Sequence, residues 1–115
     1  MLNHEMTEKE FVAQVLSLYL RLPHTPARTS RTDRQLAAQW YAQGLSWETL
    51  EGALFLAMVR RCLRDPKLRP LAPIRSLHYF APLLEEVAVT PLSVEYVQYL
   101  RRKLAPFLSA GEANS

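Results

Sequence analysis

The sequence predicts an all-α fold, a single-domain bundle of about five helices around a central buried helix at about residues 47–64. Three observations lead there. The run Ala53-Leu54-Phe55-Leu56-Ala57-Met58-Val59 is apolar on every side of a helix, and such a helix must be buried on every side. It is too short to span a bilayer, which takes about 20 apolar residues. Elsewhere the apolar residues recur at helical spacing. Only three glycines occur (Gly44, Gly52, Gly111), and no Asn-Gly or Asp-Gly pair marks a tight hairpin. A chain of 115 residues, 49% hydrophobic and 22% charged, is long enough to bury one core as a single domain over 1–115. The ends, 1–6 and 109–115, are expected to fray.

The first helix is expected from about Glu8 to Leu22. Thr7 and Glu10 form a capping box, Phe11, Val12, Val15, Leu16, Tyr19 and Leu20 repeat at helical spacing, and Pro23 ends the helix. The connector Leu22–Arg31 carries Pro23 and Pro26 and reads as extended backbone. Its arginines form either a phosphate-contacting arm or a solvated linker paired with acidic helix faces. A second helix is expected over Asp33–Gln43, with Thr32 as N-cap, Asp33 complementing the helix dipole, a buried stripe of Leu36, Ala37, Trp40 and Tyr41, and Gly44 as its stop. Ser46 caps the central helix. A helix, a glycine turn and a helix outline a helix-turn-helix. However, Trp40 stands where a small residue is wanted, and the would-be recognition helix opens with Glu48 and Glu51 rather than a base-reading arginine. A helical hairpin holding the core is the preferred reading.

Asp65–Pro73 is a loop stiffened by three prolines. The stretch Pro73–Val87 is helical by pattern, with Leu77, Phe80, Leu83, Leu84 and Val87 on one face. One helix kinked at Pro82 is favoured over a short turn ending at Phe80 and a new helix with Pro82 near its start. Thr90 and Pro91 then read as the start of a last helix running to about Phe107. Leu92, Val97, Leu100 and Leu104 line its buried side, Tyr96 and Tyr99 flank it, and at least two of Arg101, Arg102 and Lys103 face solvent.

Charge is segregated along the chain. The net charge is +3, but residues 21–34 hold Arg21, Arg28, Arg31 and Arg34 against Asp33. Residues 60–75 hold Arg60, Arg61, Arg64, Lys67, Arg69 and Arg75 against Asp65, a local +5, and 101–103 is Arg-Arg-Lys. Cations favour a helix C-terminus, and Arg61 and Asp65 are spaced to pair, yet neither effect accounts for six basic residues in sixteen.

Catalytic chemistry is hard to assemble from these residues. His4, His24 and His78 have no metal-ligand spacing, Glu85 and Glu86 point about 100° apart on a helix, and no glycine-rich phosphate loop occurs. Ser76 and Ser93 sit where caps belong. His78 is expected to pack or hydrogen-bond locally. Cys62 has no partner for an internal disulfide and reads as a small buried side chain. The sequence thus predicts a non-enzyme without metal or cofactor. The opening residues Met1–Glu5 show no charged segment leading into an apolar one, so no signal peptide or membrane span is expected, and the cytoplasm is the expected location.

The pattern Asp33-Arg34, Ala37, Gly44, Ala53, Leu56-Ala57, Arg60-Arg61 and Pro73-Ile74-Arg75-Ser76-Leu77-His78-Tyr79-Phe80-Ala81-Pro82 resembles a group of small, uncharacterised bacterial proteins associated with mobile elements and replication genes. The resemblance spans roughly residues 19–87, brings no established activity and no known catalytic residues, and implies a nucleic-acid setting.

These features together predict a small basic nucleic-acid-binding accessory protein acting through phosphate contacts, in a mobile-element, replication or defence setting. The expected contacts are Arg60, Arg61, Arg64, Lys67 and Arg69 first, then Arg75, Arg28, Arg31, Arg34, Arg101, Arg102 and Lys103. The alternative is a non-catalytic helical subunit of a larger complex, or of a homo-oligomer, whose arginines meet an acidic protein partner. Aromatics beside arginine, such as Tyr79 and Phe80 near Arg75, suit base stacking, though core packing is the commoner use of such rings.

Overall fold

Local capping decides where the first helix begins. In the computed structural model, which describes residues 6–108, α1 (Glu8–Arg21) opens on the expected box: the Thr7 amide donates to Glu10 Oε1 (3.0 Å) and the Glu10 amide to Thr7 Oγ1 (3.1 Å). Phe11, Val15, Leu18 and Tyr19 are its buried face. Residues 1–5 and 109–115, most of the ends expected to fray, lie outside the described residues, as does His4. Met6 departs from that expectation: it packs on the core, and its carbonyl accepts from the Tyr41 hydroxyl at 3.0 Å.

α2 spans Arg31–Ala42, two residues earlier than the sequence predicts, because Ser30 and not Thr32 is its cap. Ser30 has the reciprocal partner. The Asp33 amide donates to Ser30 Oγ (3.1 Å), and the Ser30 amide donates to Asp33 Oδ2 (3.0 Å). Gly44 ends the segment with φ +85°, and the Leu45 and Gly44 amides return to the Trp40 and Tyr41 carbonyls in a Schellman turn. The hairpin partner differs from the expectation. α2 lies along α1 and touches the central helix only lightly, so the Gly44 turn redirects the chain rather than closing the core hairpin.

α3 (Trp47–Cys62) is the central helix, capped by Ser46. Leu50 and every residue from Gly52 to Met58 are buried, as the apolar run predicts. It stops at Cys62 rather than Arg64, since Leu63 leaves helical geometry ahead of Asp65-Pro66. Cys62 is half-buried, and burial pushes its thiol above the ordinary range while Arg61 opposes the shift.

Pro82 does not kink one long helix. Residues 63–76 form a non-helical strap, Ser76 caps a 3₁₀ turn over Leu77–Phe80, and α4 (Ala81–Val89) starts afresh with Pro82 in its first turn. There the proline costs no internal hydrogen bond, whereas deep inside a helix it would remove one and clash with the carbonyl four residues back. α5 (Val94–Leu104) is capped by Ser93 rather than Thr90, and Pro106 turns its end into a 3₁₀ segment, Ala105–Phe107. α4 and α5 both pack on α3. α5 comes close at Gly52, where a Cβ would stand 3.3 Å from the side chains of Leu92 and Val97.

The described residues are therefore all-helical, with α1 and α2 on one side of α3 and α4 and α5 completing its enclosure. None of these helices is long and apolar enough to cross a membrane. Trp40 is core, and Trp47 packs edge-on against Phe11.

Inside the core, Asp33 is 2% exposed and joins distant segments. While Oδ2 serves the α2 cap, Oδ1 accepts from the Leu77 amide at 2.9 Å, which docks the 3₁₀ turn. The buried Tyr19 hydroxyl has no hydrogen-bond partner among the described residues. Burial, and secondarily the Asp33 charge, push its phenol from 10.0 up to about 12. Ionisation is thus harder folded than unfolded. Stability is intact below pH 10, the unfolded Tyr value, and is lost as pH rises from there toward about 12, because the unfolded chain releases its proton first. Tyr19→Phe should leave neutral-pH stability unchanged or slightly raised, since no native bond is lost, and should remove this part of the alkaline loss. Urea midpoints of both proteins at neutral pH and at about pH 11 check it.

Candidate nucleic-acid interface

The strap between α3 and the 3₁₀ turn gathers the densest basic stretch onto stiff backbone. Pro66, Pro70 and Pro73 fix three φ angles. Asp65 shapes the tip: its carbonyl accepts from the Leu68 amide (3.0 Å) and its Oδ1 from the Lys67 amide (2.9 Å). Asp65 therefore does not form the i,i+4 pair with Arg61 that the spacing suggests.

Arg61 is spent elsewhere. It is 8% exposed and lies across the connector and the strap together. Its Nε donates to His24 Nδ1 (3.0 Å), one terminal nitrogen donates to Tyr79 Oη (3.3 Å) and the other to the Ala72 carbonyl (2.5 Å). The guanidinium also sits 5.4 Å from the centroid of the Tyr79 ring. His24 meets it from the other side in left-handed backbone, φ +68°, with its carbonyl accepting from the Ile74 amide at 2.9 Å. The sequence counts Arg61 among the phosphate contacts, but its position is that of a clamp that seats the strap on the end of α3.

Two concavities flank the strap. One, of about 380 Å³, is lined by His24, Arg61, Arg64, Leu68, Arg69 and Leu71 among others. The other, of about 400 Å³, lies between α3 and α4 and is lined by Ala57, Arg60, Arg61, Arg64, Leu71, Tyr79 and Leu83. Arg64 and Leu71 line both, so the strap stands as a ridge between them. Arg60 reaches the second concavity while held by a two-pronged bond to Glu86 (2.8 and 3.2 Å). That hydrogen bond raises the Arg60 pKa and lowers the Glu86 carboxyl below its usual range. Arg64 is half-buried and Lys67, Arg69 and Arg75 are exposed, and among the described residues no carboxylate pairs with any of the four.

The other basic stretches sit on other elements, although the connector meets the strap at His24 and α2 meets the 3₁₀ turn after it at Asp33. Arg31 and Arg34 line an open groove between α1 and α2 with Glu8 and Lys9, and Arg28 is exposed on the connector. Arg101 pairs with Glu51 (3.0 Å) and sits over the Phe55 ring, while Lys103 lies over Tyr99. Burial raises the Glu51 carboxyl, with Arg101 pulling it down. Glu51 precedes Arg60 by nine residues, about 13 Å along α3, so the 101–103 stretch does not join the strap. All of Arg101, Arg102 and Lys103 are exposed, as their spacing predicts.

Tyr79 lies off the buried face, as the helical pattern of Leu77, Phe80, Leu84 and Val87 leaves it. In a 3₁₀ turn, positions i and i+3 share a face, so Leu77 and Phe80 point into the core while His78 and Tyr79 point out. Tyr79 is 38% exposed and neighbours Arg61 rather than Arg75, and His78 is exposed instead of packed. Ser76, as a cap for such a turn, was the local signal available. Leu63, Leu68 and Leu71 are also exposed around the strap. Among the described residues, no three His, Cys, Asp or Glu side chains gather to hold a metal ion.

No family model matches the chain, and searches of curated proteins and solved structures likewise return no match.

Proposed function

We propose that the chain is a small nucleic-acid-binding accessory protein that grips phosphates with its proline-stiffened strap. The observation that carries this reading is that, among the described residues, no carboxylate pairs with Arg64, Lys67, Arg69 or Arg75, four cations within twelve residues at the end of α3 and along the strap. Cations already compensated by carboxylates offer little to a phosphate, whereas these four form no carboxylate pair among the described residues. The stiff backbone under them reduces the ordering cost of binding. Arg60 joins them if a phosphate displaces Glu86.

Fluorescence anisotropy on labelled duplex DNA across a salt series tests the reading. Each neutralised phosphate contributes about −0.9 to the slope of log K against log salt, so four contacts give about −3.6. Absence of binding to DNA and RNA, single-stranded or duplex, at low salt would refute it.

A second reading, a protein-interaction subunit, draws on a different surface. Val89, Val94, Tyr96 and Tyr99 stand exposed on α4 and α5, and Phe107 on the 3₁₀ segment that follows. Apolar exposure of this kind suits a partner protein.

A further inference from the structure

We propose that the concavity between α3 and α4 receives one unpaired nucleobase against Tyr79, which makes the protein prefer single strands over duplex. The inference rests on the nucleic-acid reading above and specifies the form of its ligand. Tyr79 is a large ring left 38% exposed in the wall of a concavity of about 400 Å³, within the size range of small-molecule sites. The remaining wall supplies an apolar floor, Ala57, Leu71 and Leu83, and a basic rim, Arg60 and Arg64. A flat apolar base and the charged phosphate attached to it need that combination.

The ring is also held before any ligand arrives. Phe80 meets it edge-on at 5.1 Å (81° between planes), and Arg61 both donates to its hydroxyl and lies against the ring. A preset ring loses little freedom when a base stacks on it. Leu77 and Phe80 fill the core side of the turn, and Tyr79 is left on its outer side. A paired base cannot reach the ring without leaving its stack, at a cost that duplex binding would have to meet and single-strand binding would not.

The test is anisotropy of the whole chain on labelled oligothymidylate, oligouridylate and a duplex of matched length. It uses the wild type, Tyr79→Phe, Tyr79→Leu and Tyr79→Ala, each first checked for a native melting curve by circular dichroism. Wild type and Tyr79→Phe should bind the single strands more tightly than the duplex. Tyr79→Leu and Tyr79→Ala should lose roughly 5- to 150-fold in single-strand affinity, so that the preference collapses. A stronger effect on oligouridylate assigns the pocket to RNA, and a stronger effect on oligothymidylate to DNA. Leu fills the space without offering a stacking face, so a variant that merely repacks would not separate Phe from Leu. If the wild type binds nucleic acid but the single-strand preference is absent or survives Tyr79→Leu, this inference falls and the strap reading stands. If it binds none of the three, both fall.

Discussion

Asp33→Ala should lower the unfolding free energy by about 3 kcal/mol, the largest loss expected of any single polar replacement in this chain. The carboxylate is buried, and each of its oxygens holds a backbone amide: Ser30 at the start of α2, and Leu77 at the start of the 3₁₀ turn. Alanine removes both acceptors. An N-cap partner is worth roughly 1 kcal/mol, and a buried amide left without an acceptor costs about 1–3 kcal/mol. Asp33→Asn keeps one acceptor oxygen but presents an NH₂ group to the other amide, so it should retain about half the contribution. The urea midpoint measures it, and a loss under about 1 kcal/mol for alanine would mean that the turn docks through its apolar contacts alone.

Asp33 also marks where the sequence stops being informative. Its capping role is local and legible, because Ser30 and Asp33 have the right spacing and types. Thr32 and Gln35 have that spacing too. What favours Ser30 is that its partner's second oxygen meets Leu77, 44 positions later, a contact no window along the chain contains. The same holds at α5, where Thr90-Pro91 and Ser93 both read as helix starts and Ser93 is used. By contrast the α1 box, the Gly44 turn and the all-round apolar run of α3 depend on near neighbours, and each is where the pattern puts it. Tyr79 shows a third limit: the helical period and the 3₁₀ turn both leave it off the face of Leu77 and Phe80, but its cationic neighbour is Arg61 from α3 rather than the nearby Arg75, which no local pattern contains.

Arg61→Ala is the second large effect, expected at about 2–3 kcal/mol. The side chain is nearly buried, gives charged hydrogen bonds to His24, Tyr79 and Ala72, and packs along Tyr79. Arg61→Lys should recover less than half, because a single ammonium cannot reach three acceptors set by a planar fork. Arg64→Ala, by comparison, should leave the thermal midpoint close to that of the wild type. The sequence treats Arg60, Arg61 and Arg64 as equivalent cations. If Arg61→Ala melts like Arg64→Ala, the clamp assignment is wrong and Arg61 returns to the surface pool. The basic density of residues 60–75 was thus legible as composition. Its division into a clamp, a carboxylate-paired arginine and free cations was not, since that division depends on His24, Glu86 and Tyr79 arriving from elsewhere in the chain.

The measurement that tests the strap most directly is the salt slope of duplex-DNA binding for two charge-reversed proteins. In one, Lys67→Glu, Arg69→Glu and Arg75→Glu are combined; in the other, Arg102→Glu and Lys103→Glu. The residues changed in both are exposed, so both should fold. The strap protein should flatten the slope from about −3.6 toward about −0.9, with affinity falling steeply at every salt concentration, while the α5 protein keeps the wild-type slope. A strap protein with an unchanged slope, or an α5 protein that flattens instead, would contradict the placement of phosphate contacts on the strap.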